Sequence, residues 1–157
     1  VHTLGNLLWA CFGINREDGS RTAPSAHNWQ EIDIYAALPE GLYVYDAKAH
    51  ALELIAALDL RAATGMQDFV ATAPLNLVYV ADLARMNVQD RREQRFYFAA
   101  DAGFIAQNVY LFCASEGIAT VVRGLIDRLA LATAMRLRPD QRIILAQTVG
   151  YPLAGAP

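Results

Sequence analysis

Two stretches of this chain collect groups that can do chemistry. The segment Arg21-Thr22-Ala23-Pro24-Ser25-Ala26-His27-Asn28-Trp29-Gln30 places backbone donors, a hydroxyl, a carboxamide and an indole within ten residues, just before an alternating apolar stretch. Groups of that kind read the polar edge of a planar heterocycle and the hydroxyls of a chain attached to it. The second stretch, Gly117-Ile118-Ala119-Thr120-Val121-Val122-Arg123-Gly124, is bounded by glycines. A plainer alternative stays open for the first: Ser25 and Asn28 satisfy the backbone of their own turn.

Other site chemistries find less support. His2, His27 and His50 lie far apart, with no HxxxH or HxxE spacing, so a metal site is rejected. Ser25 and Ser115 lie in no GxSxG elbow, and Ser25 with His27 two positions on is poorly placed for direct activation. Neither GxGxxG nor GxxxxGK occurs. Cys11 and Cys113 form no CxxC and read as buried, inert thiols.

The elements that must position the two stretches follow from periodicity. Leu4, Leu7, Leu8, Cys11 and Phe12 fall at helical spacing, with Gly13 as a stop. A loop from Ile14 to Asn28 follows, longer than most connections and therefore functional or mobile. Ile32, Ile34, Ala36 and Leu38 share one face of a strand, Pro39-Glu40-Gly41 makes a turn, and Leu42 to Tyr45 is the partner strand. A turn over Asp46 to His50 and a short apolar segment from Leu52 to Ala56 come next. Leu75 to Ala81 reads as a buried strand.

Arg91 to Glu116 is the longest helical candidate, with a small-residue seam of Ala99, Ala102, Gly103 and Ala106 and Gly117 just past its end. Ile118 to Arg123 reads as extended, Leu125 to Met135 as a helix, and Arg142 to Val149 as a closing strand before Gly150-Tyr151-Pro152. Phe96, Tyr97, Phe98 and Phe104 read as core side chains rather than a pocket roof, and Trp9 and Trp29 as packing residues. Arg91, Arg92, Glu93 and Arg95 read as a solvated helix face. A sequence of helices and strands with an antiparallel hairpin among them is an α+β pattern.

Composition narrows the class further. The 157 residues suit one domain, with no linker or repeat dividing them. Apolar residues make up 55% and charged residues 18%, which excludes disorder of the whole chain and leaves apolar surface for a subunit interface. The net charge of −3 argues against a duplex nucleic-acid partner, and no apolar run is long enough to span a bilayer. All but one of the thirteen basic residues are arginine, a residue suited to carboxylate or phosphate contacts. The reading favours a cytoplasmic protein and leaves export open, since the chain opens on Val1.

Leu7-Leu8-Trp9-Ala10, Gly13-Ile14 and Arg21 through Ala26 resemble the flavin-binding region of the nitroreductase family, particularly its SagB-type dehydrogenase-like branch. Asp101-Ala102-Gly103 with Gln107-Asn108 resembles that branch's long helix, and Gly117 to Gly124 and Val149-Gly150-Tyr151-Pro152 are similar to its later segments, in the same order. The resemblance implies a single nitroreductase-like domain over residues 1–157: an α+β fold with a central, mostly antiparallel sheet flanked by helices, and a homodimer formed through long helices. It implies FMN at the subunit interface, with Arg21, Pro24, Ser25, Ala26, His27 and Asn28 on one side and Val122, Arg123 and Gly124 on the other. The backbone N–H of Arg123 or Gly124 would face flavin N5. No side chain is called for as acid or base.

The implied activity is ping-pong reduction of a small-molecule electron acceptor, nitroaromatic or quinone, with NAD(P)H as co-substrate. Alternatives are a SagB-like azoline dehydrogenase, a flavin-binding protein without turnover, or a structural dimer. The family's arginine-rich N-terminal arm and the basic residue beyond the closing Gly-Tyr-Pro have no counterpart in this chain, so Arg21, Arg123 or Arg16 would have to meet the FMN phosphate. Arg123 also occupies a position where several relatives carry a carboxylate.

Overall fold

In the computed structural model, residues 2–152 are described; Val1 and the stretch from Leu153 to Pro157 lie outside them. The chain begins with helix α1 (His2–Phe12), which buries Leu7, Leu8, Cys11 and Phe12. Gly13 follows it at a position that only glycine fits, since a Cβ there would lie 2.6 Å from the Trp9 carbonyl oxygen. A loop leads to β1 (Ile32–Leu38), which turns back through β2 (Gly41–Asp46) and β3 (Ala51–Ala56). Two 3₁₀ turns connect to β4 (Leu75–Asp82), and α2 (Arg91–Glu116) crosses the sheet before β5 (Ala119–Arg123), α3 (Arg128–Ala134) and β6 (Gln141–Gly150).

The six strands lie in the order β3-β2-β1-β4-β6-β5, and every neighbouring pair is antiparallel. Period-two alternation explains the two cores. Ile32, Ile34 and Ala36 of β1 and Leu75, Leu77, Tyr79 and Ala81 of β4 face α1 and α2. Tyr35, Ala37, Val78 and Val80 face the other way, toward Ile126, Leu131 and Met135 around α3. Covered on both faces, β4 is buried at all eight positions, which is why its sequence runs apolar without alternating.

The Arg91–Glu116 helix matches its sequence-derived bounds because both ends carry strong local signals. Asp90 accepts the N–H groups of Arg92 (2.7 Å) and Glu93 (3.0 Å). Gly117 closes the other end in the left-handed conformation (φ 67°). The helix proposed for Leu125–Met135 is shorter than its apolar pattern suggested, because Asp127 caps it by accepting from Ala130 N–H.

Three side-chain readings are corrected. Phe96 (68% exposed) and Phe104 (48%) are not core residues: they fall on the side of α2 opposite its buried face, while Phe98 is half-buried against the core. Trp9 is 45% exposed and ties the loop start by donating its indole N–H to the Ile14 carbonyl. The small-residue seam straddles a boundary, with Ala102 and Ala106 buried and Ala99 and Gly103 exposed.

Both cysteines are free and buried, and burial pushes their thiols upward, Cys113 to about 11. Since the thiolate is the nucleophile, the folded chain is expected to resist an aromatic disulfide reagent at neutral pH and to titrate two thiols only after denaturation. A thiol titration in buffer and in denaturant checks this.

Candidate functional site

The loop from Arg21 to Gln30 is tightly braced. Arg21 lies over the Phe12 ring, 4.7 Å from its centroid, and donates from Nη1 to the Phe12 carbonyl (2.9 Å) and from Nε to Gln30 Oε1 (2.8 Å). Burial lowers its guanidinium from the ordinary arginine value. Ser25 Oγ accepts the Gln30 N–H (2.8 Å) and donates to Glu31 Oε2 (3.2 Å). The Ala26 N–H donates to Asp101 Oδ2 on α2 (2.8 Å), and Asn108 of the same helix donates to the Cys11 carbonyl (3.4 Å). Asp101 and Asn108, singled out in the sequence as part of one helical motif, thus join α2 to the loop and to α1.

Past Ser25 the backbone departs from ordinary conformations. His27, Asn28 and Gln30 all have positive φ (50°, 54° and 49°), a set of left-handed residues none of which is glycine. Such strain persists where surrounding contacts over-determine it, and it clusters at ligand sites. Here the bracing comes from Arg21, Asp101 and a stack of rings, with His27 4.6 Å from Trp29 and both rings edge-on to Tyr97. Pro24, His27 and Asn28 remain exposed.

The second stretch lies at the sheet edge. Val122 N–H points away from β6 and donates to the Tyr110 hydroxyl of α2 (2.8 Å). Strand alternation puts the Gly124 N–H, two residues on, toward the same outer edge. A Cβ on Gly124 would meet only Leu145 Cδ2, at 3.9 Å, so the space above this glycine is open. Arg123 itself turns inward and is 4% exposed. Its guanidinium donates to Thr148 Oγ1 (2.8 Å), the Thr64 carbonyl (2.9 Å) and Asn76 Oδ1 (3.0 Å), with longer bonds to Gln67 and Thr64 Oγ1.

This corrects the idea that Arg123 could hold a phosphate with its side chain, since the whole residue is buried and its backbone pairs with Ala146 of β6. Arg21, similarly, works as a strut of the loop. More exposed guanidinium groups lie elsewhere. Arg91, Arg95, Arg128 and Arg142 line a cleft of about 790 Å³ between the start of α2 and the start of β6, with Asp140 as its carboxylate. Arg128 also donates to the Gly124 carbonyl (3.2 Å), so this cleft adjoins the β5 end and its chemistry suits an anionic group. Arg91, Arg92, Glu93 and Arg95 are all exposed, as their charge pattern suggested.

One geometric relation governs the two stretches. Asp101 holds the loop and Tyr110 holds the β5 end, and these residues are nine positions apart on α2. At about 100° per residue that separation is half a turn, so the two stretches are fastened to opposite sides of one helix, about 13 Å apart along its axis. Among the described residues no hydrogen bond joins 24–28 to 122–124. The helix face between them carries exposed Phe96, Gly103, Phe104 and Leu111 over about 22 Å, with exposed Gln107 among them.

Sequence reasoning missed two parts of this region. Glu31 is fully buried behind Ser25, and the polar nest around Arg123 draws on Thr64, Asn76 and Thr148 from three separate segments. A carboxylate at the mouth of an apolar strand was the available signal for Glu31. For the nest there was none. Among the described residues, no three His, Cys, Asp or Glu side chains gather as a metal site, and no helix is long and apolar enough to cross a membrane.

Comparison with known proteins places this geometry in context. A family model described as "Nitroreductase family" matches residues 2–151. A Methanocaldococcus jannaschii protein, provisionally named a nitroreductase, is 33% identical over 135 residues, covering 79% of this chain and 68% of the relative. A crystal structure of another provisionally named nitroreductase, from Ralstonia eutropha, is 49% identical, with a TM-score of 0.91 over 97% of this chain and 73% of that one. The E. coli microcin synthetase complex contains a chain sharing the fold (TM-score 0.83, 20% identity, 96% of this chain and 63% of that chain).

Proposed function

This chain belongs to the nitroreductase family and is an oxidoreductase of the nitroreductase type, and from that premise we propose that it is an FMN-dependent homodimer that uses NAD(P)H to reduce nitroaromatic or quinone acceptors. The observation that carries the proposal is the half-turn on α2. The two stretches lie on opposite flanks of a helix whose exposed face between them carries Phe96, Phe104 and Leu111 around Gln107. Pairing two copies through that face brings the 24–28 loop of one protomer toward the 122–124 edge of its partner. Each dimer then has two composite sites.

The residues fit a flavin. The outer-edge N–H of Gly124 is a donor suited to the N5 edge of the ring, and a Cβ on the glycine would meet nothing closer than Leu145 at 3.9 Å, so its surroundings are uncrowded. Ser25, Ala26 and Asn28 form the facing loop, and Pro24 and His27 present exposed surface there. FMN would supply the two-electron chemistry, accepting hydride from the nicotinamide and passing electrons to the acceptor in a second half-reaction. The chain's own work is to hold the loop in its strained form, keep the edge donor free and bury one side of the site. No side chain is assigned as acid or base. A turnover-free flavin carrier and a SagB-like azoline dehydrogenase are the competing outcomes of the test.

The purified chain, incubated with FMN and freed of excess, is expected to retain the visible flavin bands, shifted from those of free FMN. NADH or NADPH is expected to bleach them, and a quinone or nitroaromatic to restore them. A colourless protein sinks the flavin reading. A yellow protein inert to nicotinamide leaves a carrier, and one that oxidises an azoline peptide and ignores quinones replaces the acceptor class.

A further inference from the structure

Behind the 24–28 loop lies a pair of carboxyl groups of which the function proposed above uses only Asp101, as an anchor of the loop. Glu31 is fully buried and Asp101 is 3% exposed. Glu31 Oε2 accepts from Ser25 Oγ, and Asp101 Oδ2 accepts from Ala26 N–H, so each carboxyl grips one of two consecutive loop residues. Glu31 Oε1 is buried and without a hydrogen-bond partner, and because the two carboxyls hold consecutive loop residues they are neighbours in the interior. Two ionised carboxylates side by side in the interior repel, and an orphaned buried acceptor costs free energy. A single proton between them removes both penalties at once.

We propose that Glu31 and Asp101 share one proton and that the protonated pair is a latch holding Ser25 and Ala26 against α2, so that the 24–28 loop is set for its ligand only while the proton is kept. Burial, with Asp101 beside it, lifts the Glu31 carboxyl from 4.5 to about 7. The groups around the pair do not supply a competing cation. Arg21 is bound to Gln30 and Phe12, and Arg85 to Gln30 and Asp33. Asp82, whose N–H donates to the Glu31 carbonyl, is paired with Arg138 and Arg85. His27 and Tyr97 stack beyond Ala26. Among the described residues neither Glu31 nor Asp101 has an ion-pair partner.

The sign of the pH effect follows from the raised folded value. The unfolded chain releases this proton near 4.5 and the folded chain near 7. Stability from the latch is therefore complete below the lower value and is lost as pH rises to the upper one. Above it the pair has lost its proton, and the latched fraction is expected to fall about tenfold per pH unit.

The test is amide hydrogen exchange over residues 21–31 of the flavin-free chain, corrected for the intrinsic pH dependence, with thermal midpoints at about pH 5.5 and about pH 8. In the wild-type chain, protection of the Ala26 amide is expected to collapse across this range and the midpoint to drop. Glu31→Gln and Asp101→Asn place a permanent N–H donor between the two side chains. Each is expected to flatten both profiles, His27 remaining in place in both variants. Parallel profiles in wild type and both variants overturn the latch. Should one variant fail to fold, the other decides.

The effect on ligand rests on the flavin reading and is measured apart from the latch, as the FMN dissociation constant at the same two pH values. Latch behaviour with FMN affinity that ignores pH supports the shared proton and counts against the loop as a flavin contact. FMN binding without latch behaviour overturns the proposal alone.

Discussion

Replacing Arg123 by methionine is expected to lower the free energy of unfolding by about 3 kcal/mol, because it strips donors from acceptors that stay buried. For a chain of this length that is a fall in Tm of roughly 6–12 °C. The guanidinium is held without a carboxylate, entirely by neutral oxygens of Thr64, Gln67, Asn76 and Thr148. Burial lowers it from the ordinary arginine value, but the fork of bonds keeps it charged. Lysine is expected to fail as well, since one ammonium cannot reach Thr148 on one side and Thr64 on the other.

The same nest dictates its neighbour. A Cβ on Gly65 would fall 1.9 Å from Arg123 Nη1, and Gly65 has an extended backbone, so the demand there is for space alone. Gly65→Ala is expected to destabilise the chain by itself, and to cost much less in the Arg123→Met background, where the obstructing guanidinium is gone. Denaturation of the two single variants and the double variant measures this coupling. Wild-type stability for Arg123→Met, or strict additivity with Gly65→Ala, would refute the account. Since Arg123 immediately precedes Gly124, the variant is also expected to loosen the outer edge that bears the Gly124 N–H.

If the proposed dimer forms through α2, Phe104→Asp is expected to convert it into a monomer and to abolish flavin retention with it. Phe96, Phe104 and Leu111 lie on one exposed stripe of a 26-residue helix that is otherwise anchored to the sheet. Aromatic anchors at the centre of such a face commonly carry 2 kcal/mol or more each, and an uncompensated carboxylate there adds a desolvation penalty. Together these weaken association about 10²-fold or more. The substituted side chain is exposed in the single chain, so far-UV circular dichroism and Tm at high dilution should stay close to those of dissociated wild type. Sedimentation velocity and the visible spectrum are read together. A wild-type monomer that still binds FMN would dismantle the composite site, and a variant that stays dimeric would move the interface to another face.

Much of this protein can be read from its sequence, and what can be read is local. Asp90 and Gly117 bound α2 because capping depends on residues within one turn. Ile32, Ile34 and Ala36 share a core face because alternation follows from the pleat. Arg21, Ser25 and Asn28 announced a polar loop before a strand, and the family motifs followed in order.

What tertiary structure alone decided depends on partners distant in the chain. Ala26 meets Asp101 across 75 positions, and Arg123 meets Asn76 across 47 and Thr64 across 59. The cost of burying a charge or an acceptor is settled only once such partners are in place. For that reason Arg123 could be read as an outward cation until its nest was seen, and Glu31 could pass for an ordinary strand residue. Phe96 and Phe104 passed for core because composition records how apolar a helix is, while the sheet beneath it determines which face is covered. The half-turn between Asp101 and Tyr110 is implicit in their spacing. It acquires meaning only when folding fastens the 24–28 loop and the β5 end to opposite sides of the same helix.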